Sequence, residues 1–250
     1  MAAYLARLGY SGSLMTNAEP LRGLHRAHLF RVPFENLDIH LGRKIRLNQA
    51  AFVRKVVQER RGGFCYELNG AFAALLDALR FRLTLLSARV PRDDGSDGPE
   101  FDHLTLRVDL DEPWLVDVGF GDSFVDPLRL EIGTEQQQGD RRFRILAMGD
   151  SLRLEARPET QHGEWKTEYV FGLKTRKLAE FCAMCSYHQT SRESPFTRKR
   201  VCSRATEDGR ITLSGMKLIT TGVGVREERE LGSEAEWRAV LKEEFGVRCP

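Results

Sequence analysis

Arg60-Arg61-Gly62-Gly63-Phe64-Cys65-Tyr66-Glu67-Leu68-Asn69 is the stretch on which the reading of this chain turns. Two glycines let the backbone turn sharply and approach another group closely. Beyond them the pattern is helical. Leu68, Phe72, Leu75, Leu76 and Leu79 fall at i, i+4, i+7, i+8 and i+11 and form one apolar stripe. Cys65 therefore sits at a helix start, where unpaired N–H groups and the positive end of the helix dipole collect. Both favour a thiolate, the nucleophilic form of cysteine. One of those N–H groups can also steady an oxyanion. The plain alternative is a small buried hydrophobe.

A catalytic cysteine needs a base, and the base needs an orienting group. Downstream, His103 stands near the start of a strand, in Phe101-Asp102-His103-Leu104-Thr105-Leu106. Asp117 stands in the apolar strand Trp114-Leu115-Val116-Asp117-Val118. Asp111-Glu112-Pro113 makes a short connection between them, so the strands should pair antiparallel. If paired residue numbers sum to an even value near 220 to 222, positions 103 and 117 are opposite or diagonal and share a face. A carboxylate in an apolar strand needs a partner, and His103 is the nearest in sequence. Next comes Gly119-Phe120-Gly121-Asp122-Ser123, a turn that can present backbone N–H groups to a phosphate-bearing cofactor. It matches neither nucleotide-binding loop, each of which needs more glycines or a lysine at fixed spacing.

On the N-terminal side, Thr16 to Glu19 has capping-box spacing, and Pro20 suits a first helical turn. That helix carries Leu21, Leu24 and Ala27 and ends before Pro33. Asn48 caps a second, with Phe52, Val53, Val56 and Val57 on one face and Gly62-Gly63 as its stop. After the Cys65 helix the period changes to 2. Strands are expected at 83–90, 103–110, 114–118, 143–147, 151–155 and 168–171. A helix is expected at 177–187, strands around 211–213, 216–220 and 225–230, and a last helix from Ser233 to about Phe245. Helices, then strands, then a mixed part argue for three packed subdomains, α+β overall.

The chain has 250 residues and a net charge of +2, too near zero to argue for nucleic acid or a membrane surface. No apolar run is long enough to span a bilayer, and the first residues do not read as an export signal. The five cysteines are expected to be reduced thiols in a cytoplasm. Cys182 and Cys185, with His188 and Cys202 nearby, raise a metal or redox site. Both thiols fall on the apolar side of an expected helix, so packing is preferred and no metal is expected. His25 and His28 lack a third ligand and read as helix-packing or surface residues. His40 and His162 suggest nothing.

Taken together, these residues resemble the arylamine N-acetyltransferase family. The likeness rests on Val32-Pro33-Phe34-Glu35-Asn36-Leu37, Arg61-Gly62-Gly63-Phe64-Cys65, Asp102-His103-Leu104 and Val116-Asp117-Val118-Gly119-Phe120-Gly121. Tyr187-His188-Gln189-Thr190-Ser191 and Ser194-Pro195-Phe196 continue it, in the same order over nearly the whole chain. The resemblance implies a helical subdomain at 1–80, a β-barrel-like one at 81–175, a helical link at 176–195 and an α/β lid at 196–250. It implies a triad like that of papain-like thiol proteases, here Cys65, His103 and Asp117, with Glu35 and Arg61 as a structural charge pair. Gly119, Gly121 and Ser123 would receive the CoA pyrophosphate, and Phe120, Phe34 and Phe64 would line the acceptor pocket. Acetyl-CoA would be a cosubstrate, with no tightly bound cofactor. The acceptor would be an arylamine, arylhydroxylamine or arylhydrazine, acetylated by ping-pong transfer through an acetyl-cysteine. No nucleic-acid or membrane partner follows, and the chain would be a monomer or weak homo-oligomer. Competing readings are a macrolactam-forming amide synthase of a polyketide pathway, a papain-like thiol hydrolase and a dead binding module.

Overall fold

Each N-terminal helix is closed by a local device, and the computed structural model, which describes residues 1–92, 94–160 and 163–248, shows which. Helix α1 (Ala2–Leu8) ends on Gly9 in the left-handed region, φ 66°. Helix α2 (Ala18–Arg31) is capped by Asn17, whose side chain accepts from the Glu19 N–H at 3.2 Å. Thr16 is not the cap, because the helix begins two residues after it. Asn48 caps α4 (Gln49–Val57) as expected. Between them lie β1 (Phe34–Glu35) and the single turn α3 (Leu37–His40). Helix α5 (Cys65–Ala78) follows, with its apolar stripe buried against α4 and the next strands.

Gly62 and Gly63 do not stop α4, which ends at Val57; the chain then turns through Arg60, φ 51°. Close packing is what requires these glycines. A Cβ on Gly62 would lie 1.8 Å from the Pro33 carbonyl oxygen, and one on Gly63 would lie 2.6 Å from the Glu67 Cβ. Backbone cannot step aside as a flexible side chain does. Gly62→Ala is therefore expected to cost on the order of 1–3 kcal/mol of stability. Chemical denaturation would read this, and a midpoint equal to wild type would refute it.

An eight-stranded, nearly closed sheet comes next: β2 (Arg82–Arg89), β3 (His103–Asp109), β4 (Pro113–Val116), β5 (Leu128–Arg129), β6 (Gln136–Gln138), β7 (Arg141–Met148), β8 (Ser151–Pro158) and β9 (Lys166–Gly172). Their order is β5-β4-β3-β2-β9-β8-β7-β6, with every pairing antiparallel. The two edges approach through side chains. Gln136 exchanges hydrogen bonds with the Arg129 backbone, and Gln138 does so with Val125 and Asp126. Leu86, Leu115, Phe143, Leu154 and Phe171 fill one core of this unit.

The expected helix at 177–187 is instead a 3-10 turn (Leu178–Phe181) running into α6 (Cys182–Thr190). It places Cys185 in the core and leaves Cys182 exposed, so only one of the two thiols is on the apolar side. Among the described residues no group of three or more His, Cys, Asp or Glu is arranged to hold a metal. The short α7 (Pro195–Arg198) leads into β10 (Val201–Thr206), β11 (Gly209–Ser214), β12 (Lys217–Gly222), β13 (Val225–Glu230) and α8 (Glu234–Phe245). This second sheet is ordered β1-β10-β11-β12-β13, so it recruits Phe34 and Glu35 from the N-terminal part. No helix among the described residues is long and apolar enough to cross a membrane. His162 and Cys249 lie outside the described residues.

His25 and His28 are both fully buried helix-packing residues, not surface ones. The Tyr4 hydroxyl lies 3.0 Å from His28 Nε2. Burial, with help from His25 and Arg7, pushes His28 well below its ordinary pKa. The folded state thus keeps it neutral, whereas the unfolded chain takes up a proton near pH 6.5. This contribution to stability is present above about pH 6.5 and is lost as the pH falls. Unfolding free energy should therefore drop on acidification, and the slope should lessen by up to about one proton in His28→Asn. An unchanged slope in that variant would remove His28 from the account.

Candidate active site

Helix α5 delivers Cys65 at its first residue, following Phe64 in extended backbone as the N-cap. The β3–β4 hairpin delivers the other two groups. Its ladder pairs Leu106 with Val116 and Val108 with Trp114, so paired numbers sum to 222. His103 and Asp117 are diagonal neighbours on one face, as the even register requires. His103 Nε2 stands 2.6 Å from Asp117 Oδ2. Nδ1 is the ring nitrogen that Asp117 does not engage.

Asp117 is held by more than its histidine. Asn69 Nδ2 and the Gly119 N–H both donate to its Oδ1, at 2.8 and 2.9 Å. Burial opposes the carboxylate charge, but His103, Asn69 and Gly119 outweigh it and hold the pKa below the ordinary value. Asp117 is thus ionised at neutral pH and fit to stabilise an imidazolium. Asn69 also donates to the Leu104 carbonyl (2.6 Å) and accepts from the Val118 N–H (2.9 Å). It ties the helix of the nucleophile to both strands of the hairpin. Its only signal in the sequence is spacing, since Cys65 and Asn69 are i, i+4 and share a helix face. His25 was not foreseen; its Nε2 accepts from the Asp117 backbone N–H at 3.2 Å.

Gly119 differs from expectation. Its N–H is engaged by Asp117, and a Cβ there would lie 2.7 Å from Asn69 Nδ2 and 2.9 Å from the Cys65 backbone. It lets the hairpin end press against the nucleophile and offers no N–H to a phosphate. Gly121, φ 99°, is the open member of the turn, with nothing within 4 Å of where a Cβ would stand. Ser123 Oγ is buried without a hydrogen-bond partner.

Aromatic rings surround the histidine. Phe120 meets the His103 ring edge-on at 5.2 Å, and Tyr169 lies 5.3 Å from His103 and 5.1 Å from Phe120. Phe34 is half-buried, 6.0 Å from Phe196. Phe64 is fully buried against Tyr66 and Phe196, so it backs the site and lines no open pocket.

Behind the nucleophile lies a buried charge network. Arg61 bonds Glu35 (2.7 Å) and Asp38 (2.8 Å), and Lys55 bonds Asp38 and Glu67, both at 2.8 Å. Glu67 also accepts the Phe64 N–H at 3.2 Å, which fixes the first turn of α5. Burial pushes Glu67 up to about 7. Asp38, Lys55 and Glu67 were not foreseen. Lys55 sits among apolar residues of α4, and a lysine there signals a buried partner.

The thiol itself does not favour the charged form alone. Burial pushes the Cys65 pKa well up, and Asp102 and Asp117 add to this, while the Leu104 backbone N–H opposes it. The helix start is therefore not sufficient for a free thiolate. A thiolate in so buried a place needs a cationic partner beside it. This arrangement suits attack on an activated carbonyl.

The chain is similar to known proteins over nearly its whole length. The family model described as N-acetyltransferase matches residues 17–250. The arylamine N-acetyltransferase of Escherichia coli K12 is 32% identical over 98% of this chain and 87% of its own length. A Salmonella typhimurium arylamine N-acetyltransferase / N-hydroxyarylamine O-acetyltransferase is 34% identical over 98% and 88%. The Mycobacterium marinum arylamine N-acetyltransferase, solved in complex with CoA, superposes with a TM-score of 0.90 at 33% identity, covering 98% of this chain and 92% of that one.

Proposed function

The chain belongs to the arylamine N-acetyltransferase family, and we propose on that footing that it moves an acetyl group from acetyl-CoA to an aromatic amine, hydroxylamine or hydrazine through a thioester on Cys65. The observation that carries the mechanism is the His103–Asp117 contact of 2.6 Å beside a cysteine at a helix start. His103 takes the thiol proton, and the sulfur attacks the acetyl-CoA carbonyl. Backbone N–H groups at the start of α5 support the oxyanion. CoA departs as a thiol with a proton from His103, leaving acetyl-Cys65. The amine then attacks this thioester, and His103 receives and returns its proton. Phe120 and Tyr169 form an aromatic wall suited to a flat ring, with Phe34 further out. Gly121 is our choice for the donor's phosphate turn. The donor is a cosubstrate, and the reading needs no resident cofactor. Free Cys65, Cys182, Cys185 and Cys202 fit a reducing compartment such as the cytoplasm.

Mixing the enzyme with acetyl-CoA alone should add one acetyl group, located by mass spectrometry on the peptide carrying Cys65. An arylamine should then discharge it, and double-reciprocal plots should be parallel. Intersecting plots with no acetylated protein would mean direct transfer in a ternary complex.

A further inference from the structure

Four arginines from four separate elements converge on one side of the helical subdomain. Arg7 belongs to α1, Arg31 ends α2, Arg60 follows α4 and Arg204 lies in β10. Helix α1 packs on α2 and α4, and α2 packs on β10, which brings these positions together. Arg7 is only 9% exposed, and its Nε donates to the Val56 carbonyl at 3.1 Å. Arg204 donates to the Phe30 carbonyl (2.7 Å) and the Glu244 carbonyl (3.0 Å). The Arg31 Nε lies 3.9 Å from where a Cβ on Gly9 would be. Every other buried or half-buried cation described above has a carboxylate partner. Among the described residues none of these four has one within ion-pair distance.

We propose that Arg7, Arg31, Arg60 and Arg204 form a binding site for a multivalent oxyanion of the phosphate type, separate from the Cys65 site. The local carbonyls do not neutralise the cluster. Arg7 bonds a carbonyl in the last turn of α4, and Arg204 bonds carbonyls in the last turns of α2 and α8, where partial negative charge collects. These carbonyls, with the Glu244 carboxylate acting on Arg204 from beyond ion-pair distance, offset only part of the positive charge. The excess that remains suits an anion. Burial first, then Arg60 and, against the pull of Tyr4, Arg31 and Arg204 push the Arg7 pKa down to about 10. Arg31 and Arg60 are exposed, so a ligand can reach them from solvent. None of the four side chains bonds to Cys65, His103, Asp117 or the 119–123 turn.

Thermal unfolding of the intact enzyme in sodium pyrophosphate tests this, with sodium chloride at matched ionic strength as control. The midpoint should rise with pyrophosphate by about 3 °C or more and saturate in the millimolar range. Chloride should not reproduce the rise. In Arg31→Gln/Arg60→Gln the rise should vanish. Without pyrophosphate this variant should melt at or above the wild-type temperature, because like-charge repulsion is relieved. Its KM for acetyl-CoA should be unchanged. No rise in wild type, an equal rise in chloride, or a rise kept by the double variant would overturn the site. A tenfold increase in KM for acetyl-CoA would show that the arginines hold the donor's own phosphates, and the claim of a separate site would fall.

Discussion

Cys65→Ser is expected to lower acetyl transfer by about 10³-fold or more while leaving the fold intact. The physical reason lies in how the proton is shared. Burial already disfavours charge on the Cys65 sulfur, so in the proposed mechanism the thiol ionises by handing its proton to His103. A serine hydroxyl is far less acidic than a thiol, and the same imidazole cannot draw its proton in an equally buried place. The oxygen is also smaller and the bond to Cβ shorter, which lengthens the reach to the acyl carbon. Packing changes little, because the substitution keeps the shape of a small buried side chain at the head of α5. Steady-state acetylation would be measured beside circular dichroism and thermal unfolding. Turnover within tenfold of wild type would exclude Cys65 as the nucleophile.

Asp117→Asn should cost about 10⁴-fold in kcat/KM, and the structure says through which proton. Two donors, Asn69 Nδ2 and the Gly119 N–H, point at Oδ1. An asparagine must therefore place its carbonyl oxygen there. Its amide nitrogen then faces His103 Nε2, where Oδ2 now stands at 2.6 Å. That nitrogen donates, so Nε2 must accept, and the imidazole proton moves to Nδ1. Nδ1 is the atom that has to receive the Cys65 proton, and in this tautomer it is already occupied. The variant also lacks the charge that stabilises the imidazolium. The loss should appear both in acetyl transfer and in the rate of Cys65 alkylation by iodoacetamide. If Asp117→Asn kept most of either, Asp117 would hold the hairpin to α5 and do nothing more.

Much of this site was legible before folding was considered. The helical stripe from Leu68 to Leu79 put Cys65 at a helix start. The Asp111-Glu112-Pro113 turn restricted β3 and β4 to a narrow choice of registers. One parity of register places His103 and Asp117 on the same face, and that parity is found. Other positions serve contacts that the local pattern does not reveal, some near in sequence and some remote. The glycines at 62 and 63 read as a helix stop. The Pro33 carbonyl and the Glu67 side chain are what demand them. Gly119 read as a phosphate turn, but its N–H is taken by Asp117 and its α-carbon by the Cys65 backbone. Thr16 read as a cap, but Asn17 one residue later has the geometry.

The sequence by itself determined most helices, the strands from 83 to 171 in outline and a narrow choice of registers for His103 and Asp117, because each follows from a local period or a short turn; it gave no sign of α1, β1, β5, β6 or β10. It could not determine that Asn69 reaches Asp117 across 48 positions, that Lys55 neutralises Glu67, or that Phe34 pairs with Ser203 in the second sheet. Nor could it show that Phe64 is sealed behind the site or that four arginines lie near one another with no carboxylate within ion-pair distance among the described residues. A side-chain period says which face of an element is apolar. It does not say which remote element covers that face, and a buried polar group takes whichever partner the packing of those faces brings within 3 Å or so. In this protein Cys65, His103 and Asp117 were therefore legible locally, while the groups that hold them in place were chosen by the tertiary fold.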